Sequence, residues 1–196
     1  MKEVTFLKLE ERIEKKKGKK RKRLFFRFGI LAVLIGAAAF ALISNLTKDK
    51  EIYAKGDMAP DFKLAQINGS NPADSIQLSK QSGNGVMLNF WATYCKPCER
   101  EMPDIQTMYE RYHNQGIDII SINLDSTELV VQNFIEKYKL TFPVVRDKDF
   151  AVRELYGINP IPSSIFIDSN GVIVDKKNGE LKADEIEKLL KEIKPK

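Results

Sequence analysis

The sequence predicts an α/β domain with a mixed central sheet and helices on both faces, and three observations carry that prediction. Two almost wholly apolar runs, Gly85–Trp91 and Ile117–Asn123, have the length and composition of strands buried on both sides. Apolar residues then recur at three- and four-residue steps, in Met102, Ile105, Met108, Tyr109 and Tyr112 and again in Val130, Val131, Phe134, Ile135 and Tyr138, as the buried faces of helices do. Ser169-Asn170-Gly171 separates two further extended runs and marks a hairpin.

Taken in order, the domain opens with a β-hairpin extension. Phe62, Leu64 and Ala65 partly alternate with polar residues, Asn68-Gly69 signals a turn, and Ser75–Leu78 returns. The strand Gly85–Trp91 leads to a helix from about Lys96 to Asn114, kinked at Pro103 and ended by Gly116. After Ile117–Asn123, Ser126 or Thr127 caps the next helix. Phe142–Val145 is a short strand, and Asp149 caps a helical stretch to Tyr156. Ser164–Asp168 and Val172–Asp175 form the late hairpin. Ala183–Ile193 closes the domain, with Ile186, Leu189, Leu190 and Ile193 on one face. Alternating strands and helices imply parallel pairing through right-handed crossovers, and the late hairpin adds an antiparallel strand.

Ahead of this domain the chain changes character. Residues 1–46 hold 12 Lys/Arg against 4 Asp/Glu, whereas residues 47–196 hold 20 against 23, so the basic balance belongs to the N-terminus. The main domain has no basic stripe, which argues against nucleic-acid binding. Residues 1–23 end in a dense basic block, Lys15–Arg23, expected to remain cytoplasmic. Residues 24–46 are read as a transmembrane signal-anchor. The uncharged run from Phe28 to Ile43, with Leu24, Phe25 and Phe26 upstream and Arg27 snorkelling, approaches the roughly 20 residues that span a bilayer. A cleavable signal peptide is the rival reading, since Ala39-Phe40-Ala41 resembles a cleavage site, but the apolar run continues past it. Residues 47–56 form a tether and 57–196 the extracytoplasmic domain. The expected location is therefore the cell membrane, single-pass, with the domain outside.

The chemistry is concentrated at Cys95-Lys96-Pro97-Cys98, which holds the only two cysteines of the chain. A strand that delivers a Cys-X-X-Cys pair to a helix start favours a redox-active dithiol. There the helix dipole and unpaired N–H groups stabilise a thiolate on Cys95, the exposed attacking sulfur, and Cys98 one turn in resolves the mixed disulfide. Pro97 suits the first helical turn, where its missing N–H is no loss. Lys96 lowers the Cys95 pKa by Coulomb attraction, modestly if exposed. Glu101, three residues after Cys98, shares its helix face. If buried it resists ionising and can shuttle a proton or raise the thiol pKa values; a solvated surface glutamate is the competing reading. Glu99 reads as a favourable charge in the first turn. Trp91 belongs to core packing with an edge near the site, and Tyr94 shields the disulfide or touches substrate.

Two plainer readings of the pair are weaker. A structural disulfide closing so short a loop stabilises by only about 2 kcal/mol. A zinc site needs four ligands, and there is no second cysteine pair, while His113 is the sole histidine. No metal and no cofactor beyond the dithiol is expected.

Three segments in this order resemble thioredoxin-like proteins of the TlpA/ResA group. They are Ala59-Pro60-Asp61-Phe62, the run Asn89–Pro103 around the cysteines, and Tyr156–Asp168 with Pro160 and Pro162. The resemblance covers roughly residues 50–196, and the basic-then-apolar N-terminus is similar to that of membrane-anchored members. It implies a thioredoxin-like fold and a thiol-disulfide oxidoreductase that acts as a protein-disulfide reductase. The implied substrate is the disulfide of the haem-binding cysteines of apocytochrome c, and the implied electron donor is a membrane-embedded thiol-transfer protein. It also implies a functional role for Glu101, a cis peptide bond before Pro162 facing the dithiol, and an Ile161 backbone left free to pair with substrate. Two positions depart from the family pattern: Tyr94 stands where Trp is frequent, and Lys96 stands where the ResA pattern has Glu. The alternatives are the same chemistry on envelope or spore-assembly proteins, and a redox-sensing or copper-binding module without turnover.

Overall fold

A computed structural model describes residues 29–40, 52–71 and 73–195. The chain divides into two units, Met1–Lys50 and Glu51–Lys196. In the first, residues 29–40 are helical and exposed. Among the described residues no helix is long and apolar enough to cross a membrane. The basic segment 1–23, both ends of the anchor read at 24–46 (residues 24–28 and 41–46) and the start of the tether lie outside the described residues.

The second unit follows the strand–helix alternation. Its elements are β1 (Lys63–Ala65), β2 (Ser75–Gln77), β3 (Gly85–Trp91), α1 (Lys96–Tyr112), β4 (Ile117–Asn123), α2 (Glu128–Tyr138), β5 (Val144–Arg146), α3 (Ala151–Leu155), β6 (Ser163–Ile167), β7 (Ile173–Asn178) and α4 (Ala183–Ile193). β1 and β2 make the antiparallel hairpin, and the main sheet has the order β5-β4-β3-β6-β7. β3, β4 and β5 run parallel, whereas β6 is antiparallel to β3 and β7 to β6. This is a thioredoxin-like mixed sheet flanked by helices.

The handedness of crossovers decides which face each helix covers. β3-α1-β4 and β4-α2-β5 step in the same direction across the sheet, so right-handed connections put α1 and α2 on one face. The core agrees. Met87, Trp91, Ile117, Ile119 and Phe166 of the strands pack with Met102, Ile105 and Met108 of α1, Val131 and Phe134 of α2, and Ile186 and Leu190 of α4. The opposite face has only the short α3. Val86, Leu88, Phe90, Ile120, Ile122 and Ile165 are covered there by Val152, Tyr156, Phe62 and Leu78, the last two from the hairpin region. The extension thus completes a face that one five-residue helix cannot cover. It also covers the β5 edge, where Ile67 N–H donates to the Val144 carbonyl at 2.8 Å.

Glycine is required at two places. A Cβ on Gly85 would lie 2.4 Å from the Ile193 carbonyl oxygen, so β3 starts where the end of α4 closes on it. Gly116 takes φ +77° and ends the helical stretch after a 3-10 turn at His113–Gln115.

Several local expectations are corrected. Thr127 occupies the N-cap of α2 without a side-chain cap bond, and Val130 faces outward, 42% exposed. Asp149 does not cap α3. Phe150 holds that position with φ +59°, and the buried Asp147 accepts from Arg153 N–H at 2.7 Å instead. The strand expected at Phe142–Val145 begins two residues later, because Phe142 is drawn into the core and its carbonyl accepts from Asn68 Nδ2. Pro103 lies inside α1, and the helix continues through it to Tyr112.

Candidate active site

The C-terminal end of β3 presents Thr93-Tyr94-Cys95 to the start of α1. Cys95 is the N-cap with extended backbone (φ −87°, ψ 104°), and its Sγ accepts from Cys98 N–H at 3.3 Å. Pro97 occupies the second helical position, where no donor is lost. Cys95 and Cys98 are joined by a disulfide. Cys98 is fully buried and Cys95 is 8% exposed. The expectation of an exposed attacking sulfur is therefore corrected in degree. Cys95 is the more accessible of the two, yet both belong to the core cluster with Trp91, Ala92 and Met102.

Buried carboxyl chemistry lies directly below. Glu101 is 1% exposed, which rejects the solvated-surface reading. Its Oε1 accepts from Asn89 Nδ2 at 2.7 Å and its Oε2 from Leu181 N–H at 3.2 Å. Burial pushes its pKa up to about 7; the two hydrogen bonds oppose this, and the charges of Glu180 and Asp104 add to it. A carboxyl that ionises near neutrality beside a dithiol is poised to exchange protons with it.

Asn89 owes its place to strand alternation. It sits between Met87 and Trp91 on the α1 side of β3, opposite Ser121 of β4 and Ser164 of β6. These three buried polar residues form a row across the sheet, and Asn89 Nδ2 also reaches Ser164 Oγ at 3.2 Å. In the sequence Asn89 stands out only as part of the Asn89–Pro103 motif. The available signal was a polar residue at an inward position of an apolar run.

The cysteine loop is fastened from β4. Asp125, 6% exposed, accepts from Thr93 N–H at 2.8 Å, Thr93 Oγ1 at 2.9 Å and Asn123 Nδ2 at 2.8 Å. Glu99, expected only as a favourable charge in the first turn, does more. It accepts from Lys96 Nζ at 2.9 Å, Lys137 Nζ at 3.2 Å and the Tyr138 hydroxyl, which joins the first turn of α1 to the last turn of α2. The Tyr138 hydroxyl and the two ammonium groups lower its pKa to about 2. Lys96, expected to bias Cys95, thus directs its ammonium to Glu99.

Of the remaining expected residues, the Ile161–Pro162 bond is cis and Pro162 is buried. Ile161 packs against the cluster that contains both cysteines. Tyr94 is 70% exposed at the rim. Trp91 is wholly buried against Phe134, centroids 4.7 Å apart, and so belongs to the core beneath the site. His113 stacks on Tyr109, with Nδ1 2.8 Å from the Tyr109 carbonyl oxygen on the exposed side of α1. Among the described residues no group of three or more His, Cys, Asp or Glu side chains is arranged to hold a metal ion.

Fold and site together define a thioredoxin-like thiol-disulfide oxidoreductase, a protein-disulfide reductase whose substrate carries a disulfide and whose redox group is a cysteine pair. A model of the AhpC/TSA family matches residues 55–176. The thiol-disulfide oxidoreductase ResA of Oceanobacillus iheyensis is 48% identical over 92% of this chain and 94% of its own. That of Halalkalibacterium halodurans is 42% identical over 90% and 98%. The chain belongs to the ResA group of thiol-disulfide oxidoreductases within the AhpC/TSA family. Among solved structures, a thiol:disulfide interchange protein DsbE from Chlorobium tepidum superposes with TM-score 0.66 at 31% identity, covering 72% of this chain and 98% of that one. StoA from Bacillus subtilis gives TM-score 0.59 at 28% identity, over 66% and 96%.

Proposed function

We propose that the protein reduces the disulfide between the haem-binding cysteines of apocytochrome c, on the outer side of the membrane to which residues 24–46 anchor it. The observation that carries this reading is a nearly closed cysteine pair, here a disulfide, beside a buried carboxyl whose pKa burial pushes up to about 7. That arrangement suits a selective reductant, because a sulfur so little exposed meets only a disulfide on a chain that can be threaded to it. The resemblance to the ResA group supplies the substrate, the anchor and a membrane-embedded thiol donor.

In the reduced protein the Cys95 thiolate attacks one substrate sulfur, forming a mixed disulfide and releasing the other substrate sulfur as a thiolate that takes up a proton. Glu101 accepts the Cys98 proton. The Cys98 thiolate then attacks Cys95 Sγ, which frees the second substrate thiolate and leaves the Cys95–Cys98 disulfide. Two electrons have passed to substrate, and the donor restores the dithiol. Among the described residues Ile161 makes no backbone hydrogen bond, which leaves it open to pair with substrate main chain. Pro162 and Tyr94 shape the approach, while Lys96 and Pro97 complete the turn between the sulfurs.

The test uses an oxidised Cys-X-X-Cys-His peptide, the haem-attachment pattern, with insulin as comparison. The reduced protein is expected to reduce the peptide in preference to insulin, and Cys95→Ser to reduce neither. Equal rates on both would remove the substrate assignment while leaving the chemistry.

A further inference from the structure

The turn from β7 into α4, Asn178–Lys182, touches the Pro162 segment and the Glu101 carboxyl at once. Gly179 N–H donates to the Pro162 carbonyl at 2.8 Å, and Asn178 Oδ1 lies 2.9 Å from Ser163 Oγ. Leu181 N–H donates to Glu101 at 3.2 Å. One residue before each partner of that last bond, Arg100 Nε donates to Glu180 Oε2 at 2.9 Å, and its Nη2 reaches the same oxygen at 2.5 Å. Helix and loop are thus paired twice in succession, by an ion pair at the surface and by a hydrogen bond to the buried carboxyl. Lys182 Nζ holds the other Glu180 oxygen at 2.5 Å.

We propose that the Arg100–Glu180 ion pair is a latch that keeps the Asn178–Lys182 loop closed over Glu101, making Arg100 and Glu180 positioning residues for that carboxyl. The inference rests on the proton role given to Glu101 above. Glu101 has few routes to water. Asn89 covers it from the sheet and Leu181 from the loop, each by a hydrogen bond to its carboxyl, and the residue is 1% exposed. The charged groups that bear on it are Glu180 and Lys182 of the loop, and Arg100 and Asp104 of α1. The loop is held by its backbone bond to Pro162, by Asn178 on Ser163 and by the Arg100–Glu180 pair, and in that pair Arg100 is 58% and Glu180 15% exposed. A pair with one partner in solvent is weak and salt-sensitive, as suits a closure that opens during turnover.

The latch and simple electrostatics predict different signs. If Glu180 acts only through its charge, Glu180→Gln lowers the Glu101 pKa and Arg100→Gln, which uncovers that charge, raises it. If the pair is a latch, either substitution admits water to Glu101, and because relief of burial outweighs the loss of the Leu181 hydrogen bond, both lower it. The experiment titrates Glu101 by carboxyl NMR and follows hydrogen exchange at the Leu181 amide, in the oxidised full chain, for Arg100→Gln, Glu180→Gln and the swap Arg100→Glu with Glu180→Arg. The expected result is a downward shift in both single variants, Leu181 exchange faster by roughly two- to fivefold, and recovery of both in the swap. Opposite shifts in the two single variants, or no change in Leu181 exchange, would overturn the latch. Neither readout needs substrate, so failure here is separable from failure of the substrate assignment.

Discussion

Asn89 Nδ2 lies 2.7 Å from Glu101 Oε1, and this contact ties the central strand to the helix that carries both cysteines. The donor comes from the sheet face under α1, and the acceptor sits one helical step past Cys98. A buried, charge-assisted bond of this kind outweighs the exposed Lys96–Glu99 pair beside it, by about 1.5–3 against 0–1 kcal/mol.

Glu101 makes stability depend on pH. Its folded pKa of about 7 stands above the ordinary glutamate value of 4.5. The native state therefore binds this proton more tightly, and the contribution is fully present below pH 4.5 and lost as pH rises through 7. The difference is of order 3 kcal/mol. Denaturant unfolding of oxidised protein at a series of pH values should show Glu101→Gln gaining on wild type across that window. In the reduced protein the same substitution should lower the thiol pKa values, since an ionised neighbour no longer opposes the thiolates.

Asn89→Ala removes a donor that favours ionised Glu101. The Glu101 pKa should move further up, and stability should fall by about 1–3 kcal/mol. Carboxyl NMR and denaturant unfolding measure the two effects on one sample.

Asp125→Ala should release Thr93 and with it the loop that presents Cys95. Three hydrogen bonds to one buried carboxylate are lost, so a destabilisation of about 2–3 kcal/mol is expected. Faster hydrogen exchange at Thr93 would locate the effect in the loop.

Lys96 and Glu99 oppose one another at Cys95. Lys96→Gln should raise the Cys95 pKa and Glu99→Gln should lower it. Both effects are small because Lys96 is 79% exposed. Ultraviolet thiolate titration of the reduced protein reads both.

The parts legible in the sequence are those set by local pattern. β3, β4 and α4 fall at their expected residues because apolar runs and helical spacing are bounded by glycine or charge. Glu101 was legible only in part: its spacing from Cys98 puts the two on one helix face, but whether that position is buried or solvated is decided by the packing of Asn89 and Leu181 against it. Asn89 and Asp125 were not, because their roles come from partners brought together by folding: Glu101 and Ser164 in one case, Thr93 in the other. The cap of α3 failed for the same reason. Asp149 has the right residue type, but the chain turns so that Asp147 reaches Arg153 N–H.

The central claim is that Cys95 exchanges covalent partners while Cys98 resolves them. Trapping with full-length Cys98→Ser and Cys95→Ser, followed by mass mapping of the mixed disulfides, tests it most directly. The expected result is substrate held on Cys95 in the first variant and almost none on Cys98 in the second. Equal capture by both, or none by either, would contradict the account.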